Sequence, residues 1–185
     1  YDRAFGYRNF GYEVDFLLSS HAAVSGCNAT STLELAAGPA RHTIIAISTA
    51  SSCIRTAYCL DNSPSMRDYA MSLAAEHAAS SSSSSSVIQY EVADMRNFSI
   101  ASKVDTAWIL LGSLQHLTSN QEALECLKCV HQALTTDGTL ILELPHPQEV
   151  FDVGLCTRNE WRVDDDLSIV WGDEDDEFDP ISRIR

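Results

Sequence analysis

From Thr32 onward the chain alternates short, β-rich apolar runs with segments whose apolar residues recur at helical spacing. "TLELA" (32–36) is followed by a helical pattern over 39–50, and "IRTAYCL" (54–60) by one over 63–79. "VIQYEVA" (87–93) leads into a short irregular connection. "VDTAWILL" (104–111) precedes a helix over about 120–134 and then "TLILEL" (139–144). Five strands with crossover helices predict an α/β fold, a doubly wound and mostly parallel sheet with helices on both faces.

Local signals set the helical register. Ser63 before Pro64 reads as an N-cap with proline at the first helical position, and Met66, Ala70, Leu73 and His77 then share a face. Ser119 and Glu122 form a capping-box pair, after which Ala123, Leu127, Val130 and Leu134 repeat at helical spacing until Asp137-Gly138 ends the turn. Ahead of the sheet, Phe10, Val14, Leu17 and Leu18 predict one amphipathic helix. Seven serines over 80–86 cannot bury enough apolar area to offset their ordering entropy, so they read as a mobile surface loop. Beyond 144 the pattern fades except at "LSIVW" (167–171) and a strand-like end at 181–185. The expected organisation is an N-terminal cap region over 1–30, a core over 31–150 and an acidic extension over 151–185.

Composition narrows the function classes. The 185 residues are 45% apolar and 21% charged, in the range of a single globular domain. Twelve basic against 26 acidic side chains give a net charge of -14, which repels phosphate backbones and anionic lipid, so neither a nucleic-acid nor a membrane partner is expected. No stretch approaches the roughly 20 apolar residues of a membrane span. Cys27, Cys53, Cys59, Cys126, Cys129 and Cys156 sit in a chain too core-rich to need a disulfide framework, which points to a reducing, cytoplasmic setting. The chain opens on Tyr1 rather than Met, so its native start is expected to lie upstream. Cys126 and Cys129 form C-x-x-C near His131 but lack the partners of a tetrahedral site, and read as buried or half-buried thiols with no metal. "WGDEDDEFDP" (171–180) lacks the order of a calcium loop and reads as a solvated turn.

In an open parallel sheet, ligands bind outside the carboxyl ends of the strands where strand order reverses. Here the strand ends carry Glu34 with the small-residue stretch "LELAAGPARH" (33–42), then Asp61-Asn62, then Ala93-Asp94-Met95, then Leu111-Gly112-Ser113. Acidic groups at three successive ends suit a ligand with ribose hydroxyls, an exocyclic amine and positive charge.

With these motifs in this order, the chain resembles a class I S-adenosylmethionine-dependent methyltransferase of the small-molecule type. Glu34-x-Ala36-x-Gly38-x-Ala40 resembles the family's E/D-x-G-x-G-x-G loop, which implies a Rossmann-like core and backbone contacts at Ala36 and Gly38 with the methionine part of the cofactor. Alanine serves there if φ stays negative at Ala36 and Ala40, Gly38 alone being free to do otherwise. The resemblance implies that Asp61 accepts from both ribose hydroxyls, with Asn62 and Met66 beside ribose and adenine. It also places Asp94 and Met95 on the adenine, and Leu111 and Gly112 of "LGSLQHL" (111–117) beside the sulfonium and acceptor. A nicotinamide loop would instead want G-x-G-x-x-G, and Gly38-Pro39-Ala40-Arg41-His42-Thr43 puts Thr at its third glycine.

The implied reaction is direct displacement of the methyl group by a small-molecule acceptor, or by a protein side chain, giving S-adenosylhomocysteine. His116 is the candidate base where the acceptor must lose a proton. Tyr1 and Tyr12, with Tyr7 behind them, are candidate lid residues, since "YD" followed by Tyr12-Glu13 resembles the family's N-terminal cap; Ser113 is a candidate acceptor contact. The family's sheet closes with a C-terminal β-hairpin, which residues 145–185 look too few to supply. The alternative reading is therefore a methyltransferase-like, non-catalytic partner-binding module or a truncated fragment.

Overall fold

The computed structural model describes residues 2–49, 52–80, 87–146 and 159–172. In chain order the elements are α1 (Asp2–Phe5), α2 (Phe10–Ser25), β1 (Ser31–Leu35), α3 (Arg41–Ser48), β2 (Thr56–Asp61), α4 (Pro64–Ser80), β3 (Val87–Val92) and β4 (Val104–Ile109). A 3-10 turn (Ser113–His116), α5 (Asn120–Ala133), β5 (Leu134–Leu142), β6 (Asn159–Arg162) and β7 (Ser168–Trp171) follow. They form two units, Asn9–Glu143 on the one hand and Tyr1–Arg8 with Leu144–Arg185 on the other.

The larger unit is built on a five-stranded sheet in the order β3-β2-β1-β4-β5, each neighbouring pair parallel. The expected α/β architecture is thus present. Central strands are covered on both faces, which is why they read as unbroken apolar runs. One face carries Leu33, Leu35, Tyr58, Leu60, Ala107 and Ile109 against Cys126, Val130 and Ala133 of α5. The other carries Ala57 and Trp108 against Val14 and Leu17 of α2 and Ala46 of α3, with Cys59 meeting Ala70 of α4. Trp108 is fully buried, and its indole N–H donates to Thr106 Oγ1 at 3.1 Å.

The predicted N-terminal signals of α4 and α5 hold. Ser63 Oγ accepts from Met66 N, and the Ser119–Glu122 capping box is complete. In α4, Ala70 and Leu73 are buried with Met66 and His77 half-buried along the predicted face. Helix α2 buries Val14, Leu17 and His21. The His21 ring reaches Thr139 Oγ1 and Ser25 Oγ, and burial lowers its pKa below the ordinary imidazole value, the opposing charge of Asp105 notwithstanding.

The end of α5 corrects the sequence reading. The helix stops at Ala133, one residue short of the expected Leu134, which takes extended geometry (φ -82, ψ 147) to pair with Val104, and the turn expected at Asp137-Gly138 is replaced by strand. The strand therefore begins well before residue 139. Its ladder with β4 shifts register between Val104 and Thr106, and Asp137-Gly138 lies within the irregular stretch of β5. A Cβ at Gly138 would come within 3.0 Å of Leu134, so the glycine serves a bulged strand where a helix stop was expected.

In the smaller unit, β6 and β7 form an antiparallel pair, so "LSIVW" does become a strand. Phe5 meets the Trp161 ring at 6.3 Å, and Arg3 pairs with Asp164 at 2.5 Å. The serine run at 81–86 and the strand-like end at 181–185 lie outside the described residues.

Candidate functional site at the strand-order reversal

Strand order reverses between β1 and β4, and two unusual turns leave the carboxyl ends of those strands. After β1, Ala36, Gly38 and Ala40 take φ of 51, 50 and 52°, and after β4, Leu111 and Gly112 take 56 and 68°. This overturns the expectation of negative φ at both alanines. Each alanine in this left-handed region costs roughly 1–2 kcal/mol, and such strain persists where surrounding bonds over-determine it. Ala37 N donates to Leu60 O at 2.9 Å, Gly38 N to Asp61 Oδ2 at 2.9 Å, and Tyr90 Oη to Gly38 O at 2.6 Å. The loop is thus held from β2 and β3. A Cβ added at Gly38 would meet nothing within 4 Å, so this backbone faces open space.

Glu34 lies beneath the loop. It is 3% exposed, with Oε2 accepting from Thr43 N at 3.1 Å and Thr43 Oγ1 at 2.5 Å and Oε1 standing 3.3 Å from His42 Nδ1. It satisfies the first turn of α3, where Ala40 has no capping side chain. The other His42 nitrogen, Nε2, is 2.8 Å from Glu13 Oε2, and Phe10 meets the ring edge-on. Burial opposes charge on His42, but hydrogen bonds and charges of Glu34 and Glu13 outweigh it and raise its pKa above the ordinary value.

Asp61 ends β2 half-buried, with Oδ2 on Gly38 N and Oδ1 accepting from Ser63 N at 2.9 Å. Each oxygen has a second lone pair for a further donor. Asn62 is exposed beside it and Met66 half-buried in the first turn of α4. Asp94 follows β3 and is gripped by Arg96, whose backbone N, Nε and terminal NH2 groups all donate to it. Hydrogen bonding to Arg96 holds the Asp94 carboxyl below its usual range, and Arg96 also pairs with Glu122. Met95 is half-buried against the core.

Beyond β4, Ser113 Oγ donates to Leu110 O at 2.7 Å, and His116 is exposed at the end of the 3-10 turn. Tyr12 is exposed on α2, Tyr7 is exposed in the smaller unit, and Tyr1 lies outside the described residues. Burial first, then the charges of Cys129 and Asp94, push the Cys126 thiol up to about 11. No group of three or more metal-ligating side chains occurs among the described residues. Nor is any described helix long and apolar enough to cross a membrane.

Sequence reading missed Tyr90, Arg96 and Glu143, whose Oε2 accepts from Leu111 N at 3.0 Å, and took Glu13 only as part of the N-terminal cap pattern. Arg96 had a signal, since Asp94-x-Arg96 lets the guanidinium fold back on the carboxylate. Tyr90 and Glu143 are tertiary partners with no local signature.

No protein-family model matches the chain, and no curated protein matches it in sequence. Solved structures do. An S-adenosylmethionine-dependent methyltransferase from Clostridium acetobutylicum matches with TM-score 0.72 and 18% identity, over 90% of this chain and 62% of that one. DesVI from Streptomyces venezuelae matches at 0.68 and 16%, over 89% and 62%. The amino pentose methyltransferase CalS10 from Micromonospora echinaspora, solved with S-adenosylmethionine bound, matches at 0.67 and 17%, over 84% and 59%. The chain spans about three fifths of the length of these structures. It has the fold of the class I S-adenosylmethionine-dependent methyltransferases.

Proposed function

We propose that this chain binds S-adenosylmethionine at the carboxyl ends of β1 and β4 and transfers its methyl group to a small-molecule acceptor. The observation that carries this reading is the placement of backbone strain. Among the described residues, every non-glycine with positive φ (Ala36, Ala40 and Leu111) lies in the two turns bordering the strand-order reversal. Strain of this kind concentrates at ligand sites, and the reversal is where open α/β sheets bind ligands.

The donor set fits the cofactor. Asp61 keeps an acceptor position on each oxygen for two ribose hydroxyls, while Ala36 and Gly38 present main chain without bulk to the methionine part. Asn62, Met66, Asp94 and Met95 line the ribose and adenine side, with Asp94 shared between Arg96 and any amine it accepts. Glu34 acts at one remove, by fixing α3 and the loop above it.

S-adenosylmethionine, when bound, would supply an electrophilic methyl carbon to the acceptor's lone pair, with the thioether of S-adenosylhomocysteine as the leaving group. Alignment in a site shielded from water supplies on the order of 7 to 11 kcal/mol of such a barrier. The Leu111–Gly112 turn and Ser113 border the acceptor, Tyr12 belongs to its cover, and His116 takes up a proton where the acceptor must lose one.

Titration calorimetry with S-adenosylhomocysteine tests the reading. Binding at about micromolar Kd, on the order of -8 kcal/mol, is expected. Absence of binding, or binding of NADH in its place, overturns it.

A further inference from the structure

Glu143 follows β5 directly and grips the end of β4 and the turn after it through three hydrogen bonds. Its N–H donates to Ile109 O at 3.0 Å, its C=O accepts from Gly112 N at 3.1 Å, and its carboxylate Oε2 accepts from Leu111 N at 3.0 Å. The first continues the parallel ladder one step past the Ile109–Leu142 pair, whereas the second comes from Gly112 N, one residue beyond the Leu111 N that a regular ladder would use. The third is made by a side chain, and it falls on the one strained non-glycine residue of that turn, Leu111 at φ 56°. A leucine in the left-handed region is unfavourable, and a hydrogen bond from its amide to a charged acceptor is among the stronger bonds a folded chain makes. One residue therefore both splices the turn to the sheet and offsets its strain.

We propose that Glu143 is a positioning residue for the methyl-transfer site, setting the Leu111–Gly112 turn that borders the sulfonium and the acceptor. The inference rests on the methyltransferase reading. Glu143 acts through the Leu111 amide and not on the ligand. Without its carboxylate, Leu111 relaxes toward negative φ, Gly112 swings with it, and the wall of the site loses its shape.

The test compares wild type with Glu143→Ala and Glu143→Gln by S-adenosylhomocysteine titration and by hydrogen exchange at the amides of Leu111 and Gly112. In Glu143→Ala, Leu111 exchange is expected to rise and Kd to weaken by about tenfold or more, as loss of a charge-assisted bond dictates. Glutamine retains a carbonyl acceptor, so Glu143→Gln is expected to restore both readings to within about threefold of wild type. Should Glu143→Ala not fold, Glu143→Met supplies similar volume without the acceptor. Unchanged exchange and affinity in the apolar variants overturn the proposal. So does a Glu143→Gln variant as weak as Glu143→Ala while Leu111 stays protected, because the charge would then act on the ligand itself. A wild-type chain that does not bind S-adenosylhomocysteine overturns the methyltransferase reading and carries this inference with it, an outcome visible before any variant is made.

Discussion

His42 Nε2 stands 2.8 Å from Glu13 Oε2, so a histidine in the first turn of α3 is joined to the first turn of α2. Its other nitrogen faces Glu34, and only the doubly protonated ring can donate to both carboxylates. Because the folded pKa is raised, this contribution to stability is complete below the unfolded value of 6.5 and is lost as pH climbs through the folded pKa. His21, whose pKa is lowered, tilts the other way and loses its contribution as pH falls below 6.5. Melting curves from pH 6 upward should therefore show a wild-type decline that a His42→Gln variant lacks. Parallel pH profiles for the two proteins would sink this assignment.

The left-handed geometry at Ala36 makes an unusual prediction for glycine. An ordinary Ala-to-Gly exchange destabilises by roughly 0.5–1 kcal/mol through chain entropy, whereas relief of left-handed strain returns about 1–2 kcal/mol. Ala36→Gly is expected to be neutral to stabilising, by up to about 1.5 kcal/mol, in urea titration. A midpoint shifted down by the ordinary cost would show that the residue is not held at positive φ.

Asp61 serves the loop and, in the proposed function, the ribose. Asp61→Asn keeps one carbonyl acceptor for the backbone but loses the charge and half of the accepting capacity. With charge-assisted bonds at about 1.5–3 kcal/mol, S-adenosylhomocysteine affinity should fall by roughly 10- to 100-fold while circular dichroism stays native. Equal affinity in the variant would remove Asp61 from the site.

Tyr90 donates to Gly38 O, and burial followed by the neighbouring charges of Asp61, Cys59 and Glu34 raises its pKa, so the hydroxyl stays a neutral donor. Tyr90→Phe is expected to cost about 0.5–1.5 kcal/mol and to speed hydrogen exchange at Gly38. Exchange that does not change would mean that Asp61 and Leu60 suffice to hold the loop.

What could be read from the sequence follows from how local each signal is. Helices α4 and α5 and the central strands carry their own period and caps, so they were legible without any tertiary contact. Asp61 and Asp94 stood out as candidates because strand ends are where such a sheet places ligand groups. Tyr90 was not, because its partner Gly38 is 52 residues away and a tyrosine on an edge strand has many other uses. Glu143 looked like the polar residue of a β-rich run until its carboxylate was seen on Leu111. Gly138 misled for a related reason. A glycine after a helical run is most often a helix stop, and here the pairing of Leu134 with Val104 had already ended the helix.

The shape of the Ala36–Ala40 turn is written largely outside the turn, in the Leu60 carbonyl, the Asp61 carboxylate and the Tyr90 hydroxyl. A cast can change its material while the mould stays. Glycines that would mark this loop to a reader of sequence could thus be exchanged for alanine without altering the surface it presents. A chain can in this way slip from the reach of sequence patterns while its backbone keeps a fold shared with proteins only 16–18% identical to it. The residues to look for in other such chains are those of the mould.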